Sequence, residues 1–308
     1  MRESSVLALG TRRSPLALAQ AHETQARLVA ALGIAAEEAP LRPMVSTGDR
    51  ILDRSLAAAG GKGLFTKELD EALLDGSVAL AVHSAKDLPT TLPDGLAIAG
   101  CLPREDARDA LVTPLAADLA GLPVGTLVGS ASLRRQAILL RARPDLRVGL
   151  LRGNVGTRLS KIESGEFGAT ILALAGLKRL GLERHATAVL SADTMLPAVG
   201  QGVIAIVTRA EDRPARDAVE QIADEATGQA LEAERAFLAV LDGSCRTPIA
   251  GHATIRDGIL SLRGLVLTPD GREAVEVSLS GPATEAGRLG REAGLDLRGR
   301  LPAGWQAT

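Results

Sequence analysis

The feature that most constrains this chain is a repeated grammar: a short apolar run, a polar turn, then a helix carrying its own start signal. It first appears at residues 4–9, where a buried strand is expected. Thr11-Arg12-Arg13 follows, and then Ser14-Pro15, an N-cap with proline at the first helical position. That helix is expected to run to about residue 32, with Gly33 as its stop. Residues 64–75 read as a helix closed by Gly76, and 78–82 as a strand ending in His83-Ser84-Ala85-Lys86-Asp87. The pattern recurs at 124–128 before Gly129-Ser130-Ala131-Ser132, at 148–151 before Arg152-Gly153-Asn154, and again from residue 170.

Alternating strands and helices imply an α/β fold with parallel sheets covered by helices on both faces. Ligands of such sheets bind outside the carboxyl ends of the strands. That is where this chain has put its arginines and serines: Arg12, Arg13 and Ser14 after one strand, Ser84 and Lys86 after another, then Ser130, Ser132, Arg134, Arg135 and finally Arg152. The chain has five lysines against thirty arginines. A compositional bias accounts for an excess of arginine, but not for its collection at strand ends, and guanidinium forks suit bidentate recognition of carboxylates.

A length of 308 residues suggests two or three domains. Apolar residues make up 46 % and aromatics only 1 %, so the core is aliphatic and binding by aromatic stacking is not expected. A net charge of -2 gives no whole-molecule attraction to nucleic acid or anionic membrane, so neither is expected as a partner. Two cysteines far apart give no disulfide framework and fit a reducing cytoplasm. The N-terminus lacks a signal-peptide core and no stretch reaches 18 apolar residues, which also points to the cytoplasm.

After about residue 224 the grammar changes. A helix over 228–241 leads into the loop Asp242-Gly243-Ser244-Cys245-Arg246-Thr247-Pro248, and strands at 249–255, 259–267 and 273–280 precede a closing helix. Asp257-Gly258 and Asp270-Gly271 mark the turns of an antiparallel α+β module.

Three residues stand out chemically. Cys101 lies in an apolar run and reads as an inert buried thiol, whereas Cys245, in a glycine-flanked loop, suits a nucleophile, a covalent anchor or no chemistry at all. Asp87 follows Lys86 and precedes Leu88-Pro89; it is either a turn aspartate or a carboxylate that stabilises a developing cation. No metal site is expected: His22-Glu23 lacks the second histidine of a zincin helix, and Gly60-Gly61-Lys62-Gly63 is not a Walker loop.

The strings Thr11-Arg12-Arg13-Ser14-Pro15-Leu16-Ala17, Gly60-Gly61-Lys62-Gly63-Leu64-Phe65, His83-Ser84-Ala85-Lys86-Asp87-Leu88-Pro89, Ser132-Leu133-Arg134-Arg135-Gln136 and Arg152-Gly153-Asn154-Val155-Gly156-Thr157-Arg158 closely resemble porphobilinogen deaminases. So do Gly176-Leu177-Lys178-Arg179, Val199-Gly200-Gln201-Gly202 and Gly243-Ser244-Cys245, all in family order. The resemblance implies two domains similar to type II periplasmic binding proteins, 1–102 with 203–222 and 106–198, and a smaller α+β domain over 224–308. It implies a monomeric cytoplasmic transferase that deaminates four porphobilinogen molecules and joins them head to tail into hydroxymethylbilane. Its primer would be a dipyrromethane cofactor in thioether linkage to Cys245.

Carried over residue by residue, Asp87 would be the catalytic carboxylate. Ser84, Lys86, Ser130, Ser132, Arg134, Arg135 and Arg152 match cofactor contacts, and Arg12, Ser14, Phe65, Arg158, Arg179 and Gln201 match positions around the incoming or growing pyrrole chain. Ala58, Ala131, Arg246 and Thr247 depart from common family residues, so a lysine at 58 has no role here. Without the resemblance, two other readings fit the pattern: a solute-binding protein for a carboxylated ligand, or a cysteine hydrolase pairing Cys245 with His252 or His83.

Overall fold

A computed structural model describes residues 7–50, 63–241 and 247–302. They fall into two compact units, one of residues 7–50, 63–105 and 203–228, the other of residues 106–202 and 229–302.

The first unit opens with β1 (Leu9–Arg12), α1 (Pro15–Leu32), β2 (Leu41–Met44), α2 (Thr47–Arg50), α3 (Lys67–Leu74), β3 (Leu80–Ser84) and β4 (Leu96–Cys101). The second begins with β5 (Asp109–Val112), β6 (Leu127–Gly129), α4 (Leu133–Ala142), β7 (Arg147–Gly149), α5 (Val155–Glu163), β8 (Ala169–Ala173), α6 (Leu174–Arg179) and β9 (Ala188–Val189). The chain then returns to the first unit through β10 (Ile204–Arg209) and α7 (Arg213–Glu220). It ends with α8 (Glu225–Val240), β11 (Ile249–Arg256), β12 (Ile259–Leu267), β13 (Ala274–Pro282) and α9 (Ala286–Gly299).

The first sheet has the order β2-β1-β3-β10-β4 and the second β7-β6-β8-β5-β9. In each, three strands run parallel and the fourth, β10 or β5, is antiparallel to both its neighbours. Four of five strands in each sheet therefore point one way, which makes the sheets mainly parallel but not purely so. The reversed strands are short apolar runs buried on both faces, and such runs carry no information about direction.

Strand ends also lie further along than the apolar runs suggest. Of the strand expected at 4–9, residues 4–6 lie outside the described residues and the rest leads into β1 at Leu9–Arg12, while the strand expected at 78–82 is β3 at Leu80–Ser84, because polar residues beyond the apolar run still pair. Thr11 pairs with Pro43, Arg12 with Met44, and Ser84 with Ile204. His83 and Ser84 thus belong to the strand, and Asp87 closes a single 3-10 turn over Ala85–Asp87. The first helix follows expectation closely: Ser14 caps it by accepting from the Ala17 amide, and Gly33 ends it in the left-handed conformation.

The core is aliphatic. In the first unit Leu9, Leu80, Ile204 and Ile206 share one face of the sheet and pack against Leu28 of α1 and Val219 of α7. The third sheet, β11-β12-β13, is antiparallel and forms its own core with α8 and α9 around Phe237. It also shares a cluster with the second sheet, where Leu265 and Leu267 meet Leu111, Val128 and Ile171. Glycine makes the helix contact possible: a Cβ on Gly290 of α9 would stand 2.1 Å from the Ala233 carbonyl oxygen of α8.

Candidate functional site

In the first unit, the carboxyl ends of β1 and β3 face the start of α1 around a small cleft of about 50 Å³. Arg12, Ser14, Gln20, Phe65, His83, Ser84 and Asp87 line it. The Arg12 guanidinium lies 4.2 Å from the centre of the Phe65 ring, and its Nη1 donates to Asp87 Oδ2 across 3.5 Å. Both side chains remain partly exposed, at 19 % and 32 %. A pair so long and wet adds little stability, which leaves the carboxylate free to serve other partners. The Ser84 hydroxyl stands 2.9–3.0 Å from the side-chain amide of Gln20, a buried residue on the inner face of α1. Lys86 is exposed, one residue from Asp87.

Like Gln20, His83 is buried. Its Nε2 has no hydrogen-bond partner, and burial, reinforced by the Arg12 charge, lowers its pKa to about 4. The imidazole is therefore neutral at physiological pH.

The second unit builds a tighter cluster. Ser132 caps α4, accepting from the Arg135 amide, and Ser130 Oγ accepts from the Ser132 amide. Arg134 and Arg135, in the first turn, fold inward onto one carboxylate: Arg134 Nη2 donates to Asp109 Oδ2 and Arg135 Nη2 to Asp109 Oδ1, each at 2.7 Å. Arg134 Nη1 also reaches the Leu196 carbonyl at 2.6 Å. Gln201 Nε2 donates to Asp109 Oδ1 at 2.9 Å and to the Ala107 carbonyl at 2.7 Å. All four side chains are buried. Burial opposes ionisation of Asp109, but the two guanidiniums outweigh it and hold its carboxyl well below the usual range.

Other matched residues sit apart from this cluster. Arg158 Nε donates to the Gly153 carbonyl at 2.9 Å, Arg179 Nη2 donates to the Gly202 carbonyl at 3.0 Å, and Arg152 lies partly buried just after β7. Cys245 falls outside the described residues. Two roomier clefts of about 530 Å³ lie elsewhere, one lined by Arg141, Asp193 and Arg263, the other by Thr47, Lys67 and Glu71. Neither gathers the matched residues.

The sequence reading passed over Asp109 and Gln20. Asp109 opens the apolar run Asp109-Ala110-Leu111-Val112, and an acid at the head of a buried strand is a signal in itself, because it needs a cationic partner. Gln20 carries no comparable signal inside an alanine-rich helix.

An acidic ligand suits what is present. Arg134 Nε and Arg135 Nε are buried donors without acceptors, and the cluster holds two guanidiniums against one carboxylate. Helix N-termini and surplus guanidinium donors are carboxylate receptors. The strand-end clusters thus define a class by their chemistry: an α/β protein whose unused buried guanidinium donors suit a carboxylated ligand.

The comparisons name the family within that class. Residues 7–217 match the family model "Porphobilinogen deaminase, dipyromethane cofactor binding domain", and residues 229–299 match "Porphobilinogen deaminase, C-terminal domain". The porphobilinogen deaminase of Nitrobacter hamburgensis is 53 % identical over 299 residues, covering 97 % of this chain and 95 % of that protein. The chloroplastic porphobilinogen deaminase of Oryza sativa subsp. japonica is 50 % identical over 306 residues, covering 98 % of this chain and 86 % of that protein. A solved nutrient binding protein from Burkholderia cenocepacia is similar at a TM-score of 0.44 with 13 % identity, covering 70 % of this chain and 91 % of that one. The chain belongs to the porphobilinogen deaminase family.

Proposed function

We propose that this chain is a hydroxymethylbilane synthase: it deaminates four porphobilinogen molecules and condenses them head to tail. Family membership across residues 7–217 and 229–299 carries the reading, and the arginine and serine clusters support it. Cys245 would hold a dipyrromethane by thioether, which would supply the nucleophilic pyrrole carbon that primes the chain, and water would then cleave the finished tetrapyrrole from it as hydroxymethylbilane.

Each porphobilinogen ring brings an acetate and a propionate, so its recognition is chiefly the neutralisation of carboxylates. Arg134 and Arg135 would hold a cofactor arm through their unused Nε donors, with Ser130 and Ser132 at the same helix start. Ser84, Lys86 and Arg152 complete the proposed cofactor contacts. Arg12, steadied on the Phe65 ring, would take an acid arm of the incoming substrate, with Ser14 beside it. Arg158, Arg179 and Gln201 would serve the growing product.

Asp87 has the chemical task. When ammonia leaves porphobilinogen the substrate carbon becomes cationic, and a nearby carboxylate that also accepts pyrrole N–H hydrogen bonds lowers the cost of that charge. Its long contact to Arg12 leaves Asp87 oxygen lone pairs for this purpose.

Intact mass of the purified protein tests the reading. The chain should carry one dipyrromethane increment, Cys245→Ser should lose both increment and turnover, and Cys101→Ser should keep both. An adduct that survives Cys245→Ser would overturn the anchor.

A further inference from the structure

Arg134 and Arg135 are neighbours in the chain, so their side chains leave α4 about 100° apart and would diverge on a free helix. They converge because Asp109, fully buried at the head of β5, takes one Nη2 on each oxygen at 2.7 Å. Gln201 Nε2 is the third donor to the carboxylate, reaching Oδ1 at 2.9 Å, and Leu196 O fixes the far side of Arg134. Among the described residues the arrangement is charge-unbalanced by one: two guanidiniums face a single carboxylate in a buried place, and each keeps a buried Nε without an acceptor there. A surplus buried cation is costly and is relieved by one further anion.

We propose that Asp109 is a positioning residue that sets this receptor to a net charge of plus one, so that the arginine pair takes one carboxylate arm of the tethered pyrrole cofactor rather than two. The proposal rests on the reading of Arg134 and Arg135 as cofactor contacts. Without Asp109 the pair would carry two uncompensated charges and lose the brace that aims them together. With Asp109 but only one arginine the cluster would be neutral, with no electrostatic call on an anion.

Three variants test the charge count, each scored by the fraction of purified full-length chain carrying the dipyrromethane increment and, separately, by melting temperature. Asp109→Asn should lower the loaded fraction roughly tenfold or more, the scale of one charge-assisted hydrogen bond set. Arg135→Gln, which leaves a balanced Arg134–Asp109 pair, should melt closer to the wild type than Asp109→Asn does and yet load as poorly. Combining the two restores a net charge of plus one and should load better than either alone. A loaded fraction that follows melting temperature across the three variants, or Asp109→Asn loading like the wild type, would overturn the proposal. Absence of the increment from the wild-type chain would instead sink the underlying functional reading.

Discussion

The two five-stranded sheets each place one reversed strand fourth among four that run parallel, yet they handle an arginine–aspartate pair in opposite ways. In the first unit Arg12 and Asp87 stand 3.5 Å apart, both partly exposed. In the second, Arg134 and Arg135 close on a fully buried Asp109 at 2.7 Å. The same residue types at the carboxyl-end edge of each sheet, though on different elements, thus do different work, and burial decides which. A buried carboxylate with three donors is committed to holding those donors in place, whereas a partly exposed one with a single long contact is available for chemistry.

The sharpest way to break that contrast is Asp87→Asn, which keeps size and hydrogen bonding but removes the charge. Turnover should fall by about a hundredfold to a thousandfold, the usual worth of one group aimed at transition-state charge, while the melting temperature stays near that of the wild type. A folded, cofactor-loaded variant within about threefold of the wild-type rate would erase the distinction between a working and a structural carboxylate.

A smaller effect separates the units by pH. His83, which faces the Arg12 charge in the first unit's cleft, has a folded pKa of about 4 against an ordinary 6.5. The unfolded chain takes up this proton first, so the contribution is fully present above about pH 6.5, declines as the pH falls toward 4, and is gone below it. The loss is on the order of 3 kcal/mol. Urea midpoints measured from pH 7.5 to 4.5 should fall less steeply for His83→Asn than for the wild type; parallel curves would remove His83 from the account. Asp109 should contribute little in that window, because its stabilisation begins to be lost only as the pH approaches the ordinary carboxyl value of 3.8 and is lost fully well below it.

The mildest test concerns the helices that open each cluster. Ser14→Ala on α1 and Ser132→Ala on α4 each delete a capping acceptor and should each cost about 1 kcal/mol in denaturant titrations. Similar costs would show that the units differ in how they use charge and not in how they start a helix; a cost well above this for Ser132 would mean that the cap also supports the buried cluster.

Much of this was legible in the sequence because it rests on local chemistry. Ser14-Pro15 and Gly33 bound α1, Asp257-Gly258 makes a hairpin turn with Asp257 in the left-handed region, and arginines after apolar runs do lie at strand ends. Strand direction was not legible, since Ile204–Arg209 reads the same either way. Nor was the sharing of Asp109 by Arg134, Arg135 and Gln201, which brings together residues up to 92 positions apart. Long-range pairing of this kind leaves no periodicity to read.

The reversed strand of the first sheet also fixes when that sheet can be finished. β10 lies between β3 and β4 and is β4's neighbour in the ladder, yet it is encoded about a hundred residues after β4. A chain emerging from the ribosome in order exposes an open β3 edge and an unpaired β4 throughout synthesis of the second sheet. The first sheet is therefore the later of the two five-stranded sheets to close, and during that interval the nascent chain presents open strand edges of the kind that invite aggregation.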